Sequence, residues 1–419
     1  MSAVLLVDRP QLNNDNFIVM ISNQKAKQMK LLHNSIVQLI GNDSKRTVCT
    51  LHKSDCDSDK ILMSRLIRHN LGVRLRDAVT VLPYSYIDLG ITVRVALMEK
   101  QTATGLDVLK CKELLVDHFS GCRRTIYEGN KFIVRAKFAS IVFHVIQTVP
   151  GPCCMVNEKT QIVLSQEVIR YKEGEIPLSE ISYDDLGGIS RALTQIREIE
   201  VPLRFPSLFR TCVDAKTPRI LLYGPQGNGK VSMARALANE TGAHFILYDG
   251  KTKWDNQLKA KFDEAKNYPS SVLCIDGMDA IAPITSKAKA VEKRRKDLLD
   301  MIVNLDYAPD SVVVVIGVVN DIRKLHSEIY SYFVFEPLLH KQIKVEISDT
   351  ASRFQVLQVC TRDMNLPKYL NLWEVAAMTD DTFTAAQLSR LCSTVALLHK
   401  EKIEEFKSIT IDDFKVSFE

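Results

Sequence analysis

Three observations in this 419-residue chain predict a β-rich amino-terminal part followed by an α/β part with a helical end. Short apolar runs separated by Asn, Asp, Gly and Ser turns fill the first 170 residues, the pattern of a barrel or sandwich. From residue 183 onward, near-continuous apolar strands alternate with helical patterns, as in a parallel sheet covered on both faces. Within that second part a glycine-rich loop, Gly224-Pro225-Gln226-Gly227-Asn228-Gly229-Lys230, follows an apolar strand and opens a helix.

The elements follow in order. Residues 17–20, 36–40, 47–51, 79–83 and 91–97 read as short strands. A second group, 113–119, 131–136, 141–148 and 161–164, is broken by Gly129-Asn130 and by Val149-Pro150-Gly151-Pro152. Two small β subdomains in series are expected, over 1–105 and 106–170. Residues 171–182 are polar, contain Gly174 and Pro177, and read as a linker. The α/β part spans 183–349, with strands at 220–223, 271–275 and 312–319 and a helix over 231–241. Beyond residue 350 the helical segments 352–364, 373–378 and 385–398 predict a small lid over 350–419.

Composition narrows the class. A hydrophobic fraction of 46% with 25% charged residues is that of a soluble globular protein and argues against disorder. The net charge of +5 is small for this length and demands neither nucleic acid nor a membrane as partner. The ten Cys show no C-x-x-C pair and no metal-like spacing with His. The opening Met-Ser-Ala-Val-Leu-Leu-Val has no basic start and is ended by Asp8-Arg9-Pro10, so reduced thiols in the cytosol or nucleus are expected. No apolar run reaches the ~18–20 residues of a membrane span.

The loop almost completes a phosphate-binding pattern, which asks for Gly, four residues, Gly-Lys, then Ser or Thr. Its glycines let backbone N–H groups converge on a phosphate at the start of a helix, and Lys230 reaches the outer phosphates. The hydroxyl that normally holds Mg²⁺ is replaced by Val231. An acidic residue also belongs at the tip of a neighbouring strand. Ser271-Val-Leu-Cys-Ile-Asp276 supplies it, so Asp276 would face the metal. The next position, normally a Glu that polarises the attacking water, is Gly277. Met278 cannot replace it, and Asp279 reads as an ion-pair or cap residue. The apolar strand 312–319 ends at Asn320, placed to contact the γ-phosphate or the attacking water. The plain alternatives are a glycine-rich turn without function and a turn-initiating Asn320-Asp321.

These segments, together with Tyr183-Asp-Asp-Leu-Gly-Gly188, Val201-Pro-Leu-Arg-Phe-Pro206, Ala236-Leu-Ala-Asn-Glu-Thr-Gly-Ala243 and Asp279-Ala-Ile-Ala-Pro283, resemble the AAA+ ATPases of the valosin-containing protein (transitional endoplasmic reticulum ATPase) family. Upstream, Ile67-Arg-His-Asn70-Leu and Val73-Arg-Leu75 are similar to that family's amino-terminal double-psi β-barrel. The resemblance covers nearly the whole chain. It implies a double-psi barrel and a small β-barrel, then a P-loop AAA+ α/β domain with its helical lid. It further implies that Asp185, Leu186 and Gly187 flank the adenine of ATP or ADP, and that Gly224 to Lys230 hold the phosphates. Asp276 would face Mg²⁺ and Asn320 would be the sensor. The amino-terminal domain would dock ubiquitin-pathway adaptors, in the cytoplasm, the nucleus or at the surface of the endoplasmic reticulum.

The chain departs from that family at several points. Val231 stands for the Mg²⁺-coordinating Thr, and Ser232 is turned away by the ~100° step of a helix. Gly277 stands for the catalytic Glu. The segment 325–350, where the family carries arginine fingers, holds no Arg; in other phosphoryl-transfer systems a finger is worth ~10³–10⁵ in rate. The stretch 250–262 is short where a pore loop belongs, with Trp254 its remaining aromatic residue before Phe262. No counterpart of the family's second ATPase domain follows the lid before Glu419.

The basic run 287–296 carries six Lys or Arg in ten but no aromatic residue, and reads as the solvated start of a helix rather than a nucleic-acid patch. The aromatic run 330–335 reads as core or interface. Neither H-E-x-x-H nor G-x-S-x-G occurs. Three readings follow: a pseudo-ATPase that holds nucleotide and regulates ubiquitin-dependent unfolding, including endoplasmic-reticulum-associated degradation, alone or in a mixed ring with active subunits; an active ATPase whose missing groups come from atypical residues or a partner; and a scaffold without nucleotide.

Overall fold

A computed structural model describes residues 2–10, 16–98, 108–119, 123–135, 140–170, 180–212, 217–250, 257–284, 288–306, 311–334, 340–362, 364, 366–367, 370–401 and 409–416. The chain divides into two compact units, one formed mainly by Met1–Ser179 and the other by most residues from Glu180 onward.

In the first unit, β1 (Ala3–Asp8), β2 (Ile18–Ser22), β3 (Ile36–Ile40), β4 (Arg46–Ser54), β5 (Lys60–Met63) and β6 (Ala78–Pro83) close into a six-stranded barrel. Their order is β1-β5-β2-β4-β3-β6, with β1–β5 and β2–β4 parallel and the remaining pairs antiparallel. Alternation explains the closure: Val19 and Ile21, Val37 and Leu39, Ile61 and Met63, and Val79 and Val81 are all buried at period two. Two short helices decorate it, α1 (Asn23–Gln28) and α2 (Arg65–Leu71). The Ser64 hydroxyl caps α2 by accepting from Ile67 N–H, and Gly72 ends it in the left-handed conformation.

The rest of this unit comprises β7 (Thr92–Met98), α3 (Val108–Phe119), β8 (Arg124–Tyr127), β9 (Lys131–Arg135), β10 (Ser140–Val149), β11 (Cys153–Val156) and β12 (Gln161–Ile169). They form a sheet of order β12-β7-β10-β9 and a β11-β8 pair. Two sequence expectations change here. Residues 113–119 were expected to be strand and lie in α3, because Cys111, Leu115 and Phe119 are buried at the i, i+4, i+8 spacing of one helix face. Residues 91–97, grouped with the first subdomain by order along the chain, contribute β7, which pairs with β10 and β12. Asn70 of α2 exchanges two hydrogen bonds with the backbone of Lys131, at 2.9 and 2.8 Å, and so ties barrel to sheet.

The second unit begins with a 3-10 turn, Tyr183–Asp185, then α4 (Ser190–Ile196), α5 (Glu200–Arg204) and α6 (Pro206–Cys212). The α/β layers are β13 (Arg219–Tyr223), α7 (Lys230–Thr241), β14 (His244–Asp249), α8 (Gln257–Lys266), β15 (Ser270–Asp276), α9 (Met278–Ile281), α10 (Lys289–Asp306), β16 (Val312–Val319), α11 (Ser327–Tyr332) and β17 (His340–Lys344). The five strands are all parallel, in the order β14-β15-β16-β13-β17. All eight residues of β16 are buried, which is why its sequence, VVVVIGVV, shows no polar alternation. At ~1.5–3 kcal/mol per fully buried large apolar side chain, this strand and its neighbour β15 anchor the unit. Four helices follow: α12 (Thr350–Thr361), α13 (Leu372–Met378), α14 (Ala385–Glu401) and α15 (Ile411–Val416). Val356, Leu357, Val375, Leu388, Cys392 and Val395 are buried among them, and Asp349 caps α12 by accepting from Ser352 N–H at 3.0 Å. Among the described residues no helix is long and apolar enough to cross a membrane.

Candidate nucleotide site

In open parallel sheets, ligands sit outside the carboxyl ends of the strands. There β13 runs into the glycine-rich loop and the loop into α7. Gly224, at φ +139°, lies where a Cβ would come within 2.3 Å of the Val345 carbonyl oxygen, so glycine alone fits. Gly227 and Gly229 also have positive φ, +91° and +80°, and Gly229 is the N-cap of α7. This is the alternation of backbone handedness that turns successive N–H groups to one side and forms an anion cradle.

Lys230 is 6% exposed. Its ammonium donates to the carbonyls of Gly224 and Pro225, at 2.7 and 2.8 Å, and to Asn320 Oδ1 at 3.1 Å. Asn320 thus meets the loop lysine at the end of β16. Asn228 is 3% exposed; its amide donates to Val345 O at 3.5 Å and its Oδ1 accepts from Ala385 N–H at 3.2 Å. Ala386 N–H donates to Gly227 O at 3.0 Å. The first turn of α14 therefore sits on the loop. Pro225 and Gln226 stay exposed at its tip.

Leu186 is brought to the same place: its Cδ2 is 3.9 Å from the Cβ position of Gly229. Gly187 and Gly188 approach the α12 backbone so closely that a Cβ would come within 2.5 Å of Gln355 O or Ser352 O. Asp185 is directed elsewhere. Its carboxylate accepts from Ser182 N–H at 2.7 Å, in a capping box, and pairs with Arg362, which also donates to Asp184 O. Tyr183 beneath this turn is fully buried, and burial, with Glu200 and Glu240 nearby, pushes its hydroxyl well above its ordinary value.

Asp276 ends β15, half-buried, in register with Asp249 of β14 and Val318 of β16. The strand ends carrying Asp276 and Asn320 are thus neighbours. Gly277 follows in the left-handed conformation, φ +71° and ψ +39°, as N-cap of α9. Val231, in the first turn of α7, is half-buried and offers no oxygen. The cradle, with Lys230, fits a nucleotide's phosphates. The Mg²⁺ ligand set does not fit as well, because a valine stands in the hydroxyl position and leaves Asp276 as the carboxylate at the strand tip.

Other sequence expectations are also placed. In the basic run, Lys296 pairs with Glu292 at 3.0 Å along the exposed helix face, whereas partly buried Arg295 pairs with Glu328 of α11 at 2.8 Å; Lys287 lies outside the described residues. In the aromatic run Phe333 is buried and the Tyr330 hydroxyl accepts from Gln342; Phe335 lies outside the described residues, as do Trp254 and residues 171–179. Sequence reasoning missed the lid contact through Thr384–Ala386 and the Arg362 pair. The one available signal was Thr384-Ala-Ala-Gln387, a capping-box pattern whose Thr384 N–H donates to Gln387 Oε1 at 2.8 Å.

The parallel sheet, the glycine loop opening α7 and the capping lid define a P-loop nucleotide-binding domain. Residues 220–340 match the model of the ATPase family associated with various cellular activities (AAA). Residues 5–87 match the model of the cell division protein 48 (CDC48) N-terminal domain. Together the two matches support membership of the CDC48-like AAA+ ATPases, and an AAA domain implies nucleotide binding. The CDC48 N-terminal domain is an adaptor-binding module, and AAA proteins oligomerise.

Proposed function

We propose that this chain binds adenine nucleotide in the 224–230 loop, hydrolyses it negligibly, and acts as a regulatory pseudo-ATPase in ubiquitin-dependent protein unfolding. The observation that carries the reading is the pairing of an intact cradle with missing chemistry. The three glycines and Lys230 are arranged for phosphate, while Val231 lacks the metal-binding hydroxyl and Gly277 lacks a carboxylate.

Each gap touches a different requirement: metal, attacking water and, with no Arg over 325–350, transition-state charge. Leu186, packed over Gly229, and Gly187 form the adenine side, and Asp185 holds that turn to Arg362 instead of touching the base. Bound nucleotide would stabilise the folded domain by mass action. The amino-terminal domain docks ubiquitin-pathway adaptors, in competition with active relatives or inside a mixed ring with them.

The test is titration with ADP, with and without Mg²⁺, followed by phosphate release. The expected result is binding that Mg²⁺ changes less than about threefold, with turnover below about 10⁻³ s⁻¹, roughly three decades under the ~1 s⁻¹ at the low end of usual enzyme rates. Mg²⁺-dependent turnover near ~1 s⁻¹ that Lys230→Ala abolishes would overturn the proposal.

A further inference from the structure

A helix leaves its first four N–H groups without partners inside the helix, and the lid helix α14 satisfies them in two halves. Its own capping box takes two: Thr384 N–H donates to Gln387 Oε1 at 2.8 Å, and Gln387 N–H to the Thr384 hydroxyl at 3.4 Å. The other two are taken by the phosphate loop. Ala385 N–H donates to Asn228 Oδ1 at 3.2 Å, and Ala386 N–H to Gly227 O at 3.0 Å. The loop is therefore half of the cap of α14. We infer that Asn228 is a positioning residue that latches the lid onto the loop and sets how fast a nucleotide bound there leaves.

Asn228 is buried, and its amide donates to Val345 O at 3.5 Å, the carbonyl that leaves no room for a side chain at Gly224. One residue thus joins the loop, the chain leaving β17 and the first turn of α14. The contact at Gly227 is as close: a Cβ there would come within 3.1 Å of both Ala386 Cβ and Thr384 Oγ1. Lifting α14 off the loop strands two helix N–H groups and Asn228 Oδ1 at once, and a buried oxygen left without its donor is costly.

Granted the nucleotide site proposed above, on which the inference rests, the latch lies at one of its two ends. At the other, the adenine side, Gly187 and Gly188 lie against the backbone of α12. Helices α12 and α14 pack on each other, so the lid spans the site from the adenine turn to the phosphate loop. A nucleotide held between them leaves when one end opens. At the phosphate end the bonds to break are those from Ala385 and Ala386. The polar atoms of Asn228 are engaged by Val345 and Ala385, while the glycines and Lys230 form the cradle. Loss of the latch therefore speeds release and leaves capture nearly unchanged.

The experiment loads the full chain with the fluorescent analogue N-methylanthraniloyl-ADP and chases it with excess ADP in a stopped-flow instrument. Asn228→Ala removes the acceptor. Ala385→Pro removes the donor, at the first position of the helix, where proline is well accommodated. Each should speed release about three- to tenfold, the scale of one hydrogen bond, with association within about twofold of wild type. Because both break the same bond, the double variant should release no more than about twofold faster than the faster single variant. Damage to the fold alone would slow capture as well and give effects that multiply. In the wild type, bound ADP should slow amide hydrogen exchange over 384–388 together with 224–230, which decides the matter if a variant fails to fold. Release at the wild-type rate in both variants, effects that multiply in the double variant, or exchange over 384–388 that ADP leaves unchanged would overturn the inference while nucleotide binding stands. A wild-type chain that takes up no fluorescent ADP would overturn the proposed binding and the inference with it.

Discussion

Replacing Gly277 by glutamate supplies the carboxylate missing beside Asp276, and the backbone there sets what it costs. Gly277 sits at φ +71° and ψ +39°, and its carbonyl accepts the Ala280 N–H at 2.9 Å as α9 begins. An L-residue held in the left-handed region loses ~1–2 kcal/mol, and giving up a glycine N-cap adds a few tenths. The expected destabilisation of Gly277→Glu is thus ~1–2 kcal/mol, lowering the unfolding midpoint by roughly 2–8 °C for a unit of this size. Gly277→Ala should cost about the same and Gly277→Asn less than half, because asparagine tolerates this conformation. That ranking separates backbone strain from charge. Turnover should stay below ~10⁻² s⁻¹, since Val231 and the Arg-free segment are unchanged. Calorimetry of the variants beside a phosphate-release assay reads both. An unchanged midpoint in Gly277→Glu, or turnover near ~1 s⁻¹, would refute the reasoning.

Three further outcomes follow from single contacts. Lys230→Met leaves the Gly224 and Pro225 carbonyls and Asn320 Oδ1 without this donor, so ADP affinity should fall ~100-fold and stability by ~1–3 kcal/mol; affinity unchanged by titration would remove Lys230 from the site. Gly224→Ala drives a Cβ to 2.3 Å from the Val345 carbonyl, a backbone atom that no rotamer change can move. It should cost ~2–4 kcal/mol, lower the midpoint by roughly 5–15 °C and weaken nucleotide binding, and a midpoint within a degree of wild type contradicts that. Asp349→Ala removes the α12 cap at ~1 kcal/mol near neutral pH. The Ser352 bond holds the Asp349 carboxyl below its ordinary 3.8, so the cap's contribution is full above that value and is lost as pH falls through the lower folded one. Denaturant titrations should show the wild-type advantage shrinking on acidification below pH 3.8; an advantage that grows would contradict the cap.

The phosphate loop was legible because its chemistry is local: glycines, Lys230, a strand before and a helix after, all within a short stretch. The apolar runs of β15 and β16 announced a buried parallel sheet for the same reason, since a strand covered on both faces needs no polar alternation. Residues 113–119 misled because a short apolar run suits strand or helix, and the deciding contacts of Cys111, Leu115 and Phe119 are tertiary. The place of β7 depends on pairing with β10 and β12, which no local pattern encodes. Gly277 was visible as a missing carboxylate but its handedness was not. The bond from Ala385 to Asn228 joins residues remote in sequence, so it became visible only once the lid had folded.

The most direct measurement is a single-turnover experiment: ATP mixed with excess protein and Mg²⁺, with the bound nucleotide recovered and identified over time. The account predicts that ATP is retained by the protein and recovered as ATP after many minutes, and that retention is lost in Lys230→Met. Recovery of ADP and phosphate within seconds, abolished by the same substitution, would contradict it.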